Sequence, residues 1–430
     1  MAQDASAKPV QVLRLMSPHS PAALERYAQF LAGRDPDEQV DLQIPSTLKG
    51  DDLGGLGAVG QLIVTWARRR TPGTLRTYVP GTTAGQIDAS SSRLSAVETL
   101  AESDHGLLAL LMSSRVVDVK GESLLGLTTA AASETLAKAG QVATAKHGRK
   151  VALFVADHRA NNAPFALYQP ISSHVARPAV RTRDEFGSLA NELLKVIGLG
   201  ASSDKPSIEQ QQALGTVLYQ LFKNTHDWAR TSADDRNYER SVRILRSEYV
   251  ADSLPMHLKH AQGDTGLQTY LKHDQHKGEP RFGAKTDMRR FLEVSILDSG
   301  PGLAARALQS QNIVAPSLAQ EHEALIVCLK KHMTSSQHPG RGNGLHVVQE
   351  LMTELRGYMK VRSGRLAMVR DYVRDPYTRK DAAEPWLRDW RSGSAQPTDL
   401  APVAGTFISF IIPITYIGAT PNRLASQEPC

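Results

Sequence analysis

The chain has 430 residues, of which 41% are hydrophobic, and this is enough for two or three domains with cores of their own. Charged residues make up 22% and aromatic residues 6%, so the composition differs from that of a disordered protein. A net charge of +6 over this length permits nucleic-acid binding but does not require it.

The cysteines and the apolar runs predict a cytoplasmic protein without a membrane segment. Cys328 and Cys430 provide neither a disulfide framework nor the spacing of a zinc site. The residues after Met1 lack the apolar core of a signal peptide. The longest apolar run, 407–417, contains Pro413 and is too short to cross a bilayer as a helix, so we interpret it as a buried strand.

Short strands and helices alternate through residues 1–185, which predicts a small α/β domain. This domain weakly resembles the STAS-type domains that bind regulatory partners. The residue types of its Asp157-His158 and Ser173-His174 pairs occur in catalytic sites, but nothing else in the sequence supports catalysis there. We interpret them as solvated or capping residues. Strands are predicted at 9–16, 40–45, 75–79 and 150–155, helices at 21–33 and 57–70, and a helical tract at 94–147.

A long amphipathic helix is predicted at about 208–230, with a capping-box pattern formed by Ser207 and Gln210. A polar stripe beside its apolar face has the spacing i, i+4, i+7. Its amide groups offer the oxygen ligands that Mg²⁺ takes, although an ordinary polar helix edge is the alternative. The residues of this stripe are Gln220, Asn224 and Asp227.

A second motif follows a predicted strand at 291–297. Asp298 ends that strand, and Gly300 and Gly302 come two and four residues later. Glycine turns can hold a carboxylate rigidly in a pocket, where it can accept a hydrogen bond from an exocyclic amine such as that of adenine. The alternative is an ordinary aspartate–glycine turn.

The third motif is a glycine-rich segment that opens a helix. Gly340, Gly342 and Gly344 alternate with other residues, and Leu345 begins an apolar helical period. Bare amides at a helix N-terminus form a phosphate-binding site, because they lack partners within the helix and the helix dipole is positive there. A tight turn before a core helix is the alternative.

Together with a turn at Gly405 and Thr406 that enters a strand, these motifs resemble the ATP-binding domain of the GHKL superfamily, which includes gyrase, heat-shock chaperones, histidine kinases and MutL. The resemblance covers roughly residues 205–418. It implies an α+β protein whose C-terminal part is a two-layer α/β sandwich of the Bergerat type with a mixed sheet. The predicted division is an N-terminal α/β domain at 1–185, a connecting segment at 186–206, an ATP-binding domain at 207–418 with insertions at 231–290 and 366–402, and a tail at 419–430.

The resemblance also implies ATP and Mg²⁺ as cofactors and assigns roles to matching residues. Asn224 would bind Mg²⁺, Asp298 would bind the adenine amine, and Thr406 would support the water network around that contact. Residues 303–339 would form a lid that closes on the nucleotide. The other implied nucleotide-binding residues are Asp227, Gly300, Gly302, Thr334, Ser335, Gly340, Gly342, Gly344 and Leu345.

One position departs from the family pattern. The family usually has Glu four residues before the Asn, but Gln220 stands there in this chain. An amide cannot act as a general base at neutral pH, and loss of such a base commonly lowers a rate by about 10²–10⁴-fold. We therefore expect slow turnover, unless His226 or a partner protein supplies the base.

The function predicted from the sequence is nucleotide-dependent regulation of a partner protein. No phosphoacceptor helix of the Ser-His-Glu type precedes Gln220, so a complete sensor histidine kinase is not expected. The alternatives are an active ATPase or a protein kinase that acts on a partner in trans, as in the anti-sigma branch, and a nucleic-acid-associated ATPase. A homodimer is also compatible with the sequence.

Two polar segments bear on those alternatives. The histidines at 257–276 have irregular spacing and no cysteine among them, so we expect a solvated insertion rather than a metal site. Between residues 356 and 391, ten Lys or Arg stand against five Asp or Glu, with Trp386 and Trp390 interleaved. This pattern is compatible with nucleic-acid contact. We favour a solvated excursion, meaning a solvent-exposed insertion that its aromatic residues anchor to the rest of the domain.

Overall fold

The computed structural model describes fifteen stretches of the chain, with gaps between them. No helix among these residues is both long and apolar enough to cross a bilayer. The described residues are 10–16, 21–48, 53–77, 89–118, 120–139, 149–159, 164–170, 178–199, 206–276, 287–309, 313, 315–330, 344–378, 380–382 and 386–414.

The N-terminal part is a parallel four-stranded sheet in the order β1-β2-β3-β4, with helices between its strands. The strand at 116–118 lies inside the tract 94–147 that we predicted to be helical throughout, so that prediction is wrong at this point. The error arises because this strand has only three residues, all of them buried, and is too short to show an alternation of apolar and polar residues. The elements are β1 (Gln11–Arg14), α1 (Pro21–Ala32), β2 (Val40–Ile44), α2 (Gly55–Ala67), β3 (Leu75–Thr77), α3 (Ala89–Glu102), α4 (Asp104–Met112), β4 (Val116–Asp118) and α5 (Leu125–Ala139).

The second sheet has seven strands in the order β10-β9-β8-β11-β7-β6-β5, and the α+β class is confirmed. Every pairing among these described strands is antiparallel, so the predicted mixed sheet is wrong. The last strand enters between β7 and β8 and runs opposite to both, which strand spacing alone could not reveal. The strands are β5 (Lys150–Ala156), β6 (Val242–Ser253), β7 (Met288–Asp298), β8 (Tyr358–Gly364), β9 (Leu366–Asp371), β10 (Arg388–Asp389) and β11 (Val403–Pro413).

Helices cover one face of the second sheet and build the largest core. Phe186, Leu218 and Val348 lie on three different helices and share a buried cluster with Ile296 and Phe410 of the sheet. The helices of this part are α6 (Arg183–Val196), α7 (Ile208–Trp228), α8 (Leu254–His260), α9 (Thr265–Leu271), α10 (Leu303–Gln309), α11 (Leu318–Leu329) and α12 (Gly344–Glu354). Of these, α8 and α9 pack in a separate cluster with Phe291 and Tyr358, on the other face.

The N-terminal part packs on the opposite face of the same sheet. Ile63 of α2 belongs to one buried cluster with Leu297 of β7 and Phe407 of β11. A Cβ atom on Gly57 would stand 1.9 Å from the ring of Phe407, so this contact requires glycine. The large sheet is therefore covered on both faces.

The predicted insertions contain strands of the large sheet. Residues 242–253, inside the predicted insertion 231–290, form β6 and pair with β7 along eleven residues. Residues 366–371, inside the predicted insertion 366–402, form β9. The prediction of a solvated excursion is wrong for residues 366–371, because β9 is buried along its whole length. The first half of β6 is buried as well. The division into domains stays a prediction, although β5, which it places in the N-terminal domain, pairs with β6.

Candidate functional site

One helix, α7, carries three of the predicted site residues. The capping box at its start is confirmed, because the Gln210 amide donates to Ser207 Oγ at 3.3 Å and the Ser207 amide donates to Gln210 Oε1 at 3.0 Å. The apolar stripe of α7 is buried in the main core. The adjoining polar side chains, Gln220 and Asn224, are half-buried.

The first residue of α12, Gly344, lies directly against this polar stripe. A Cβ atom built on Gly344 would stand 2.9 Å from Oε1 of Gln220 and 3.5 Å from Oδ1 of Asn224. Glycine therefore allows the start of α12 to approach α7 more closely than a larger residue could without displacing a side chain. Leu345 is buried in the main core and fixes the first turn of α12 in this position.

The carboxyl group of Asp298 is buried at the end of β7. Its Oδ1 accepts hydrogen bonds from the Gly300 amide at 2.8 Å and from the Thr406 amide at 3.2 Å. Burial raises the pKa of Asp298 to about 6, although both hydrogen bonds favour the ionised form. Among the described residues, no donor contacts Oδ2.

The turn after Asp298 packs against the C-terminal end of α7. A Cβ atom on Gly300 would stand 2.7 Å from Cα of Ala229, which caps α7. Ala229 lies five residues beyond Asn224, which is roughly 7.5 Å along a helix that rises 1.5 Å per residue. Contacts with α7 therefore bring the Asp298 turn and the start of α12 to the same region of the molecule.

Two further glycines shape the turn around Asp298. Gly302 and Gly405 have φ angles of +96° and +74°, which side chains with a Cβ rarely adopt. The Gly405 amide donates to the carbonyl of Gly300 at 2.9 Å, and a Cβ on Gly405 would collide with the carbonyl oxygen of Asp298. A larger residue at either position would therefore displace the turn.

Two of the predicted residues, Thr406 and Asp227, make contacts within the protein. Thr406 reaches Asp298 through its main-chain amide, so its contribution to the turn does not depend on its side chain. Both carboxylate oxygens of Asp227 accept hydrogen bonds from Lys223 Nζ, at 2.5 and 2.6 Å, one helical turn away. An ion pair of this kind satisfies the carboxylate without a ligand.

Part of the glycine-rich motif and of the proposed lid lies outside the described residues. These positions are Thr334, Ser335, Gly340 and Gly342. The described part of the lid, up to residue 330, contains α10 and α11. Because Leu325 and Leu329 of α11 are buried in the main core, this stretch is anchored to the domain.

His226, the candidate replacement base, contacts residues beside β5 and β6. Its Nδ1 lies 3.3 Å from the hydroxyl of Tyr168 and 3.4 Å from Nη1 of Arg243. Arg243, which is buried, in turn forms an ion pair with the more exposed Asp157. The imidazole is therefore part of a polar network beside β5 and β6.

Sequence reasoning missed one cation that contacts the Asp298 turn. Arg68, just after α2, donates to the carbonyl of Ser299 from Nε at 3.0 Å and from Nη2 at 2.6 Å. Its guanidinium group stacks on the ring of Tyr238 at 3.5 Å. Burial lowers the pKa of Arg68 to about 10, so the group stays charged at neutral pH. Because 231 residues separate Arg68 from Ser299, no local sequence signal could have revealed the contact.

Some of the basic and aromatic residues between 356 and 391 contact one another inside the domain, whereas Arg356, Arg374, Lys380 and Arg391 are exposed. Arg370 is 1% exposed, pairs with Asp381, and lies 4.5 Å from the ring of Trp386. Trp390 is also buried, with Lys360 Nζ 4.4 Å from its ring. Part of the pattern that suggested nucleic-acid contact is therefore used in packing.

The histidines of residues 257–276 also have structural surroundings. His257 bonds to the carbonyl of Arg289, and His276 packs against Tyr270 with ring centroids 4.5 Å apart. Burial lowers the pKa of His276 to about 3, which keeps it neutral. Within the described ranges, no group of three or more His, Cys, Asp or Glu could hold a metal ion.

Comparison with protein-family models found no match, and comparisons with curated proteins and with solved structures found none either.

Proposed function

We propose that residues 207–418 form a GHKL-type ATP-binding domain and that the chain is a regulatory protein whose nucleotide state controls its contact with a partner protein. One observation carries this proposal: Gly344 and Gly300, from two separate motifs, both pack against α7 near Asn224. The all-antiparallel sheet departs from the mixed sheet that the resemblance implies. We therefore base the proposal on the site rather than on the topology.

The residues present suit an adenine nucleotide with its cation. Asp298 keeps Oδ2 without a donor among the described residues, so it can accept a hydrogen bond from the exocyclic amine of adenine. The start of α12 offers amides that attract phosphate. Asn224 provides one oxygen ligand for Mg²⁺, which keeps several waters and binds substrate phosphates, so it does not require a cluster of carboxylates.

We favour regulation over rapid catalysis because, among the described residues, the side chains that adjoin Gly344 are amides. The side chain nearest to Gly344 is Gln220, whose amide cannot take a proton at neutral pH. His226 contacts Tyr168 and Arg243. The chain would therefore hold ATP and Mg²⁺ longer than an enzyme with Glu at position 220.

The contact between Arg68 and Ser299 supplies a route from the nucleotide to the N-terminal part. Arg68 follows α2, and Ser299 is the residue after Asp298. A nucleotide that shifts the Asp298 turn would therefore change the surroundings of α2. We place the partner-binding surface on the N-terminal part for this reason.

Calorimetric titration of the full chain with ATP, ADP and a non-hydrolysable ATP analogue, each with and without Mg²⁺, tests the proposal. We expect binding that Mg²⁺ strengthens and that Asp298→Asn weakens by about 10–100-fold, because the adenine amine loses a charged acceptor. Asp37→Asn, at an exposed carboxylate in the N-terminal part, is the matched control and should bind like the natural chain. Absence of binding, or equal loss in both variants, would contradict the proposal.

A further inference from the structure

A cavity of roughly 350 Å³ lies between the N-terminal part and the ends of β5 and β6. Helices α4 and α5 line one side, and the segments that follow β5 and precede β6 line the other. None of the lining residues belongs to the candidate nucleotide site. We call it the α4–α5 cavity, and its principal lining residues are Leu110, Ser113, Thr128, His158, Arg159 and Arg240.

Arg159 brings an uncompensated donor to this cavity. Its Nε is buried and has no hydrogen-bond partner among the described residues. No carboxylate in the described part of the chain forms an ion pair with it. A buried guanidinium N–H without an acceptor is rare in folded proteins, and a bound anion would satisfy it.

His158 adds a second unpartnered nitrogen. Its Nε2 is buried and has no partner among the residues that the structure describes, while its Nδ1 lies 3.3 Å from both the amide and the carbonyl of Ser241. Burial lowers the pKa of His158, so the ring is neutral at pH 7 and carries one proton. When Nδ1 accepts from the Ser241 amide, Nε2 carries that proton and becomes a donor.

The charge balance of the cavity is positive. Arg240 donates from Nη1 to the carbonyl of Ser113 at 2.5 Å, and its Nε lies 3.9 Å from Glu239, whose side chain is 89% exposed. An exposed pair at this distance compensates little of the arginine charge. Two guanidinium groups thus face one solvated carboxylate, which favours an anionic ligand.

The opposite wall supplies acceptors and apolar surface. The hydroxyl groups of Ser113 and Thr128 donate to carbonyls of their own helices, so they offer lone pairs to a ligand. Leu110 and Leu125 add apolar surface. The volume exceeds what one inorganic anion needs and lies at the lower end of the range for small-molecule pockets.

We propose that the α4–α5 cavity binds a small phosphate monoester that carries hydroxyl groups. Arg159, Arg240 and His158 bind its phosphate, and the hydroxyl groups of Ser113 and Thr128 accept from its hydroxyl groups. Guanidinium groups suit phosphate because their planar array of donors can contact two oxygens at once. This site does not depend on ATP binding near Asp298.

Calorimetric titration of the full chain with glycerol 3-phosphate, inorganic phosphate and succinate tests the proposal. We expect glycerol 3-phosphate to bind more tightly than inorganic phosphate and succinate to bind more weakly than either. Arg159→Gln should weaken the binding of glycerol 3-phosphate by at least about tenfold, because a charged hydrogen bond is lost. Arg159→Lys should restore part of the affinity.

Two variants locate the site. Arg26→Gln, which removes the same charge from an exposed position on α1, should leave the affinity for glycerol 3-phosphate unchanged. Asp298→Asn should also leave it unchanged, which separates this site from the proposed ATP site. The proposal is overturned by absence of binding, by equal affinity in the natural chain and Arg159→Gln, by preference for succinate, or by loss of binding in Asp298→Asn.

Discussion

The main-chain nitrogen of Thr406 donates a hydrogen bond of 3.2 Å to Oδ1 of Asp298, although 108 residues separate them. Together with the Gly300 amide, it fixes one oxygen of a carboxyl group that is 6% exposed. Arg243 and Arg68 favour the ionised form from a distance without forming an ion pair with it, and burial outweighs them, so burial is unfavourable for this carboxylate. The proposed adenine contact would give this buried aspartate a role that the stability of the fold does not give it.

This unfavourable burial predicts that Asp298→Asn stabilises the fold at neutral pH. Because the folded pKa of Asp298 is raised from 3.8 to about 6, its stabilising contribution is present below about pH 4 and is lost as the pH rises through 6. The asparagine variant should therefore gain on the order of 1–3 kcal/mol in unfolding free energy at pH 7. Urea denaturation at pH 7 and pH 4.5 measures this, and the gain should shrink at pH 4.5. Lower stability of the variant at pH 7 would refute the argument.

The same pKa predicts how ATP binding depends on pH. The ionised carboxylate is the stronger acceptor for the adenine amine, so affinity should fall as Asp298 is protonated below pH 6. At pH 5 roughly a tenth of the carboxyl groups are ionised, and the affinity should be as much as about tenfold weaker than at pH 8. Titrations with ATP and Mg²⁺ across this range measure the effect. A flat profile would exclude Asp298 from the adenine contact.

Arg68 is predicted to position the Asp298 turn. Arg68→Gln removes the charged hydrogen bonds to Ser299, so ATP affinity should fall about 3–10-fold and the fold should lose about 1–2 kcal/mol. Arg68→Lys should restore part of the affinity, because an ammonium group can still donate to the Ser299 carbonyl. Arg70→Gln, two residues away and exposed, is the matched control. Loss of stability without any loss of affinity would limit Arg68 to a structural role.

The close contact of Gly344 predicts a site-specific effect of one methyl group. In Gly344→Ala, the new Cβ would stand 2.9 Å from Oε1 of Gln220 and would crowd Asn224. We expect ATP affinity to fall about tenfold, while the unfolding free energy changes by less than about 1 kcal/mol, because the Gln220 side chain can move. Gly126→Ala, in the first turn of α5 with open space around it, should affect neither property. Similar ATP affinity in both variants would contradict the proposed site.

Turnover should depend on the residue at position 220. Gln220→Glu places a carboxylate beside the start of α12, where it can activate a nucleophile, so the hydrolysis rate should rise by about 10²–10⁴-fold. Gln210→Glu, at the start of the same helix, is the control and should not alter the rate. A natural chain that already hydrolyses ATP rapidly, and that Gln220→Glu leaves unchanged, would refute slow turnover.

Local periodicity predicted the long elements well because their apolar residues face one core. The strand at 40–45 and the helix at 208–230 appear as β2 and α7, within one or two residues of the predicted ends. The capping box at Ser207 was predictable because it involves only residues three apart. Such features depend on neighbours along the chain.

Features that depend on distant neighbours could not be predicted in this way. The antiparallel course of β11 between β7 and β8 is set by pairing across the whole sheet. The polar composition around residues 242–253 concealed β6, since two of its arginines, Arg243 and Arg246, are buried and form ion pairs. Arg246, for example, lies between Asp104 and Glu293. Only tertiary contacts could reveal that these charges lie inside the protein.

A crystal structure of the full chain with Mg²⁺ and a non-hydrolysable ATP analogue tests the central claim most directly. We predict the adenine amine on the carboxylate of Asp298, the phosphates at the start of α12 and the cation on Asn224. A nucleotide bound elsewhere, or crystals grown at saturating analogue that contain none, would contradict the assignment.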